Sequence, residues 1–451
     1  MKRGFIFLIV FVVIAFLRTS QATAQTTQSK EVPAVSANDF LNSIGVCVHV
    51  QHGQDASKLA PLLKYTGVRN IRDGADRNYN MSGLILLHQQ AGVHIDIGPA
   101  SGAHDTDLQA TLTMAHQLDA AGALMAIEGP NEPNNFGGVT YQGQTSGVTT
   151  GTWIPVAKFQ RDLYSAVKND PVLKNYPVFG PSEMGAETDN VGLQYLTIPE
   201  GTKCLMPAGT KYADYANVHN YMYHEKMWPG APHDNQIWNA AGPTSVCKAD
   251  GLYNNHGSTW RNHYPGYSEA ELATLPKVTT ETGTKVGSLK GAITEEVQAN
   301  NYMNVYLAQF KRGWSYTFIY EFLDDPDGAF GFYKIDYSTE RKSATYLHNL
   351  TTILADNRSV SKPGRLNYSI PGQPETTHDL LLEKSNGKFE LVVWSERVSG
   401  SDNVTVNLGR IYRNIKIYDP TVGTAATEIL NNVSSVPLIL SDHPMIIEID
   451  K

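Results

Sequence analysis

From about residue 43 the chain alternates between two hydrophobic rhythms. Short apolar runs of strand type recur at 44–49, 68–72, 93–97, 124–127, 177–180, 215–221, 277–280 and 316–322. Between them lie stretches whose apolar residues return every three or four positions: 55–65, 82–91, 105–121, 154–167, 295–311 and 342–354. Gly, Pro and Asn mark most joins, as turn chemistry requires. Eight strand–helix units in series, over about 310 residues, predict a (β/α)8 barrel with long loops. Two loops stand out by length, a Gly/Thr/Gln-rich one at 137–152 and a His- and Trp-rich one at 222–274.

The rhythm changes near residue 355. Beyond Arg365 strands and turns alternate with no helical stretch, for example at 379–383, 389–394, 404–407 and 415–418. This predicts a β-sandwich of about 95 residues packed on the barrel. The N-terminus has a third character. Lys2 and Arg3 precede an apolar run from Gly4 to Leu17, and Ala22-Thr23-Ala24 has the form of a cleavage site. A run of about 14 residues is short of the roughly 20 that span a bilayer. The expected organisation is a signal peptide at 1–24, a catalytic barrel at 25–354 and a β-sandwich at 355–451, with the mature protein secreted or periplasmic and without stable membrane insertion.

Composition narrows the partners. Charged residues are 18% of the chain, aromatics 10%, and the net charge is −8. No basic cluster follows the N-terminal pair, which argues against nucleic acid, since phosphate neutralisation needs grouped Lys and Arg. Few charges with many aromatics and amides suit a protein that handles neutral polar ligands. Of three cysteines, Cys47 falls in a strand pattern and reads as a buried thiol, while Cys204 and Cys247 lie in loop sequence where an exported protein could bridge them. No Cys-x-x-Cys pair is present, and neither a metal nor a cofactor is expected.

The candidate chemistry sits where barrel strands end. Residues 126–138 read AIEGPNEPNNFGG, so the fourth run stops in a turn cluster that contains Glu132 between Asn131 and Pro133. Residues 277–285 read KVTTETGTK and place Glu281 at the end of the seventh run. Two glutamates at one rim, three strands apart, can face each other across a bound sugar. Glycoside cleavage needs that: one carboxyl protonates the leaving oxygen, the other attacks the anomeric carbon or activates water, and their environments must hold them in different protonation states.

Asn131-Glu132-Pro133 with Glu281 resembles the retaining glycoside hydrolases of clan A, over about residues 43–354, and the trailing sandwich is similar to that of several families of the clan. The resemblance implies Glu132 as acid/base, Glu281 as nucleophile and Asn131 on the sugar 2-hydroxyl. By position it also implies Arg72 beside the nucleophile, ahead of Arg69, and His219 or Tyr221, which alternate with Asn220, as hydrogen-bond partners of the nucleophile. His49, ending the first run, is a candidate sugar ligand. Tyr320 and Glu321 end the eighth run where the clan commonly carries Trp, a departure that also makes Glu321 a third acidic candidate. Glu128, four residues before Glu132, reads as support. Trp228, Trp238 and Trp260 are candidates to stack on sugar rings or simply to pack the long loop.

Two other readings compete. A metal-dependent hydrolase is suggested by fourteen His and by His49-x-x-His52, but no His-x-His occurs. A catalytically lapsed carbohydrate-binding protein would not need both glutamates. The sugar, the linkage and endo or exo action are not legible in the sequence.

Overall fold

The computed structural model of the protein describes residues 30–74, 80–102, 105–133, 139–147, 150–186, 195–196, 206–207, 209–221, 234–241, 275–287, 293–326 and 328–450. The signal-peptide segment, Cys204, Cys247, Trp228 and Trp260 lie outside these residues.

Eight parallel segments pair in a ring. Barrel strand one (Ile44–Cys47) pairs with two (Asn70–Asp73), two with three (His94–Ile97), and three with four (Leu124–Ile127). Strand five, 178–186, is the weakest member. It bridges strand four at Ile127–Val178 and Asn131–Ser182 and meets strand six at Phe179–Tyr215, before Glu183 and Met184 pair with Val218 and His219. Strand six (Ala216–His219) then pairs with seven (Lys277–Thr282), seven with eight (Trp314–Ile319), and eight with one. Strand one is buried along its whole length, which explains why it reads as an unbroken apolar run: a parallel strand covered on both faces has no polar side to alternate with.

Helices cover the outside, each bounded by local chemistry. The helix Ala56–Thr66 starts with the Asp55 carboxylate accepting the Ser57 N–H and stops at Gly67, whose φ is +71°. Met81–Ala91 begins at Asn80, and Glu295–Lys311 at Thr294, again through side-chain caps. The third helix starts at Leu108, three residues later than the periodicity predicts, because the Asp107 carboxylate caps the Ala110 N–H at 2.9 Å. Residues Asp105–Asp107 form instead a short strand that pairs with Ala100–Gly102 and touches Thr140. The loops after strands three and four are thus joined in a small rim sheet. Among the described residues no α-helix follows strand five.

The C-terminal strands form a six-stranded sheet, antiparallel but for one short parallel strand at its edge, and a two-stranded ribbon. Residues of neighbouring strands alternate between two cores. Leu380, Leu382, Val392, Trp394 and Ile446 join the apolar cluster of the barrel helices. Leu381, Leu391, Val393, Ile447 and Ile449 join a second cluster with Leu366 and Tyr368 of the ribbon. The long strand Asp402–Tyr418 pairs with Glu428–Leu440, and Asn407 bridges Ser369 beside the ribbon. Residues 30–36, expected to lead into the barrel, are part of this unit: Lys30–Pro33 pairs with Arg365–Tyr368, and Val35–Ser36 with Leu382–Glu383.

The sheet therefore has no solvated face at its centre, and truncating its barrel-facing residues opens a cavity between the two units. Val392→Ala is expected to cost about 2–4 kcal/mol, whereas Ile439→Ala, at a residue 74% exposed, should stay within roughly 0.5 kcal/mol. Denaturant midpoints of the two variants, read by tryptophan fluorescence, check this.

Candidate active site

Glu132 and Glu281 meet at the C-terminal mouth of the barrel. Glu281 is the fifth residue of strand seven and points inward with its carboxylate held on both sides. Its Oε1 accepts Arg72 Nη1 at 2.6 Å and its Oε2 accepts the Tyr221 hydroxyl at 2.9 Å. Glu132 lies five residues past strand four, with its N–H donated to the Ser182 carbonyl at 2.6 Å and a backbone φ of +38°. A non-glycine residue at positive φ is strained and needs its surroundings to hold it. The Ser182 bond, the Asn131–Ser182 bridge and His219 supply that hold. His219 Nδ1 is 2.6 Å from Glu132 Oε1 and 3.5 Å from Glu281 Oε2. One oxygen of each glutamate and a nitrogen of this histidine lie within 4.8 Å of one another.

Arg72 ends strand two and reaches across the barrel. Its guanidinium donates through Nε and Nη2 to both oxygens of Glu128, at 2.7 and 3.0 Å, through Nη1 to Glu281, and through Nη2 to Asn131 Oδ1 at 2.7 Å. Burial alone would push both carboxyls up. For Glu281, the positive charge of His219, then Arg72, and the hydrogen bonds from Tyr221 and Arg72 outweigh it and hold the group below the usual carboxylate range. For Glu128, burial is likewise outweighed, first by Arg72 and then by its hydrogen bonds. Glu128 also accepts from Asn217 Nδ2 at 3.2 Å and from the Thr280 hydroxyl at 2.9 Å.

The Thr280 hydroxyl fixes the histidine. Its hydrogen has acceptors in Glu128 Oε1 at 2.9 Å and Asn217 Oδ1 at 3.1 Å, so its oxygen is left to accept from His219 Nε2, 3.1 Å away. Nε2 then carries a proton in either charge state of the ring, and only the Nδ1 position, facing Glu132, is open to change. Tyr221 is buried, and that burial, followed by the charges of Glu281 and Glu132, raises its phenol well above its ordinary value, so it donates throughout the working range.

Two close approaches show why glycine stands where it does. A Cβ at Gly129 would lie 2.0 Å from Gln160 Oε1 and 2.8 Å from the Pro181 nitrogen, and one at Gly283 would lie 2.4 Å from the Tyr320 carbonyl. The segments that carry Glu132 and Glu281 are thus packed against their neighbours with no room for a side chain.

At the strand-eight side, Tyr320 donates its hydroxyl to Asp325 Oδ2 at 3.0 Å and lies 5.5 Å from the His49 ring and 6.5 Å from Tyr221, centre to centre. His49 Nδ1 is 3.3 Å from Glu321 Oε2. Burial, then Asp325, Asp324 and Glu281, push the Glu321 carboxyl up to about 10. Burial, with His52 next, lowers His49 from its ordinary value.

The sequence-predicted residues Asn131, Glu132, Glu281, Arg72, His219, Tyr221, His49, Tyr320 and Glu321 are thus gathered at one end of the barrel. Arg69 is elsewhere, bonded to Asn38, Asn42 and the Asp356 carbonyl. Trp238 does not line the mouth: its ring stacks on His378 at 4.0 Å, in the C-terminal sheet. Sequence reading missed Asn217 and Thr280, which link Glu128 to His219, and Asp96, buried in strand three and raised by that burial and by facing Glu128. A charged residue within an apolar barrel strand was the available signal for Asp96. Cys47 is a buried free thiol whose Sγ lies 3.2 Å from the Thr280 carbonyl.

Neither a protein-family profile nor a curated protein sequence matches the chain. Solved structures do. A family 39 glycoside hydrolase from the gut symbiont Bacteroides cellulosilyticus WH2 aligns with 93% of this chain and 83% of its own, at a TM-score of 0.56 and 16% identity. The GH51 arabinofuranosidase from Xanthomonas axonopodis pv. citri aligns over 94% and 97%, at 0.54 and 14%. A GH39 β-xylosidase from Caulobacter crescentus aligns over 94% and 98%, at 0.54 and 12%. The chain shares the fold of these glycoside hydrolases.

Proposed function

We propose that the protein is an exported retaining glycoside hydrolase that cleaves a β-linked oligo- or polysaccharide, with Glu281 as nucleophile and Glu132 as acid/base. The observation that carries this reading is the pair itself: two glutamate oxygens within 4.8 Å, one carboxylate clamped by a cation and a phenol, the other on a histidine. Retaining enzymes keep their carboxyls about 5–5.5 Å apart and inverting enzymes about 6.5–9.5 Å apart, to admit a water. Oxygens that approach within 4.8 Å are compatible with the shorter spacing, and the retaining reading rests on this together with the sequence resemblance. Shared fold with glycoside hydrolases that include a xylosidase and an arabinofuranosidase supports the substrate class. Export is read from the N-terminal sequence alone.

In the first step Glu281 Oε2 or Oε1 forms a bond to the anomeric carbon while the glycosidic bond breaks. The Glu132 proton goes to the leaving oxygen. Arg72 and Tyr221 keep Glu281 ionised before attack and disperse the charge as it is displaced. In the second step Glu132, now a carboxylate, takes a proton from water, and the water oxygen replaces Glu281 at the same carbon. His219 suits both states of Glu132. Neutral, with its proton on Nε2, it accepts from the Glu132 acid. As an imidazolium it donates to the carboxylate. Asn131, oriented by Arg72 through Oδ1, is left with its amide hydrogens to offer a sugar hydroxyl.

Glu281→Gln should leave the fold intact and lower turnover of aryl and natural glycosides by at least about 10⁴-fold. Glu132→Gln should lose about 10²–10⁴-fold on unactivated substrates and much less on aryl glycosides whose leaving group needs no proton. A panel of chromogenic glycosides and polysaccharides finds the substrate, and proton NMR of the first product formed reads its anomeric configuration. Retained configuration is expected, and inversion or full activity in Glu281→Gln overturns the assignment.

A pH profile tests the clamp separately. Because the folded-state carboxyl of Glu281 is held below its ordinary value, it is ionised well into the acid range, and activity falls only as pH drops through that lowered value. Tyr221→Phe removes one hydrogen bond to the ionised form. The acid limb of kcat/KM should then move to higher pH by roughly one unit, with the alkaline limb in place.

A further inference from the structure

Beside the glutamate pair lies a second set of polar groups that the hydrolytic reading does not use as a unit. His49 follows strand one, Glu321 lies two residues past strand eight, and Asp325 is in the loop after it. One donor atom from each lies within 4.8 Å of the other two. Glu321 is 0% exposed, and neither of its carboxylate oxygens receives a hydrogen bond from a donor group among the described residues. His49 Nδ1 lies 3.3 Å from its Oε2. Its surroundings add like charge, from Asp325, Asp324 and Glu281. Asp324 has its own cation in Arg341, which also bonds Glu295. Asp325 is oriented by the Tyr320 hydroxyl on Oδ2 and the Gly328 N–H on Oδ1, at 3.0 and 3.2 Å.

A buried carboxylate facing other carboxylates without donors is costly. A divalent cation at the centre of the three groups removes that cost, since it draws on both carboxylates and on the imidazole lone pair together. Three donors within 4.8 Å of one another need only close slightly to reach bond lengths of about 2.0–2.2 Å. One imidazole nitrogen with two carboxylates is a donor set for zinc or manganese rather than for calcium, which takes six to eight oxygens.

The other set of three donors at the mouth, Glu132, His219 and Glu281, does not share these properties. There His219 bonds Glu132 at 2.6 Å, Arg72 and Tyr221 already hold Glu281, and the guanidinium would repel a dication. The sequence pair His49-x-x-His52 is not the donor set either. The His52 ring lies 5.6 Å from that of His49, and the partners within reach of His49 Nδ1 are carboxylates.

We propose that His49, Glu321 and Asp325 form a binding site for one divalent cation of the zinc–manganese class, whose remaining positions are held by water or by sugar hydroxyls. The site joins the ends of strands one and eight to the following loop, beside the nucleophile but apart from it.

The test is binding without turnover, so its failure is separate from failure of the hydrolase reading. The full chain is stripped with a chelator, dialysed, and titrated with ZnCl2 and with MnCl2 by isothermal calorimetry. One saturable site per chain is expected. Glu321→Gln and Asp325→Asn should each weaken it by at least roughly tenfold, while Glu132→Gln and His52→Ala should leave it within about twofold. Circular dichroism checks that each variant folds. Should Glu321→Gln not fold, Asp325→Asn, at a half-buried loop position, carries the same test. No saturable binding, binding that persists in Asp325→Asn, or binding lost in Glu132→Gln overturns the proposal. The first of these outcomes would mean that Glu321 stays protonated against Asp325 with no ion between them.

Discussion

The mouth of the barrel is organised by one buried guanidinium. Arg72 comes from strand two, its partners Glu128 and Asn131 from strand four and the turn after it, and Glu281 from strand seven. Only arginine can do this, because its planar fork presents five donors in fixed directions, whereas a lysine ammonium would satisfy one carboxylate and leave the other. The arrangement has a charge consequence. One cation faces two buried carboxylates, and the balance comes from neutral donors, Asn217, Thr280 and Tyr221, and from the charge His219 can carry. Taking out Arg72 would leave two buried anions at once, which is why it is a poor choice for probing function without loss of the fold.

From this follows the difference between the two candidate catalytic carboxyls. Glu281 receives Arg72 and Tyr221, and both favour its ionised form. Glu132 instead meets His219, 2.6 Å away, a histidine that can either accept or donate. Two residues of the same type therefore occupy unlike environments although they are close enough to touch one bond. The chain separates them by backbone placement: Glu281 is held inside strand seven, at a shift in that strand's register with strand eight, while Glu132 hangs from a strained turn pinned to strand five. Strand five is thin for the same reason. Its bridges to strand four are spent at Val178 and at Ser182, the latter beside Glu132.

Much of this was legible in the sequence because barrel strands are buried on both faces and helices carry side-chain caps at their starts. The run at 44–49, the helix closed by Gly67 and the helix Glu295–Lys311 all follow from local pattern. The two glutamates and Arg72 could be found since each sits where a strand ends, a position periodicity locates well. What could not be read was pairing over distance. Nothing local shows that Thr280 spends its hydrogen on Glu128 or Asn217 and so leaves its oxygen to His219, 61 residues away. Trp238 stayed undecided for a related reason: an aromatic in a long loop offers the same sequence signal whether it meets a sugar or, as here, His378. Residues 30–36 were assigned forward to the barrel, since their pairing partners lie more than 300 residues later.

Those last two contacts bear on what the C-terminal strands do. The loop after strand six directly follows His219 and Tyr221, both of which touch the glutamate pair. Where that loop is next described, in the helix Gln236–Ala241, it is fastened to the sheet: Trp238 stacks on His378, its N–H donates to Glu396 at 2.7 Å, and the Asn235 side chain reaches the Glu375 carbonyl. The opposite side of the same helix packs on the barrel helix Glu295–Lys311 and buries Ile237, Ala240 and Ala241 in the barrel's core. A sheet buried on both faces, one of which anchors a loop that leads out of the candidate active site, behaves as a brace. Its binding a separate carbohydrate would have to use the outer strands and their edges, because the central strands have no free face to offer.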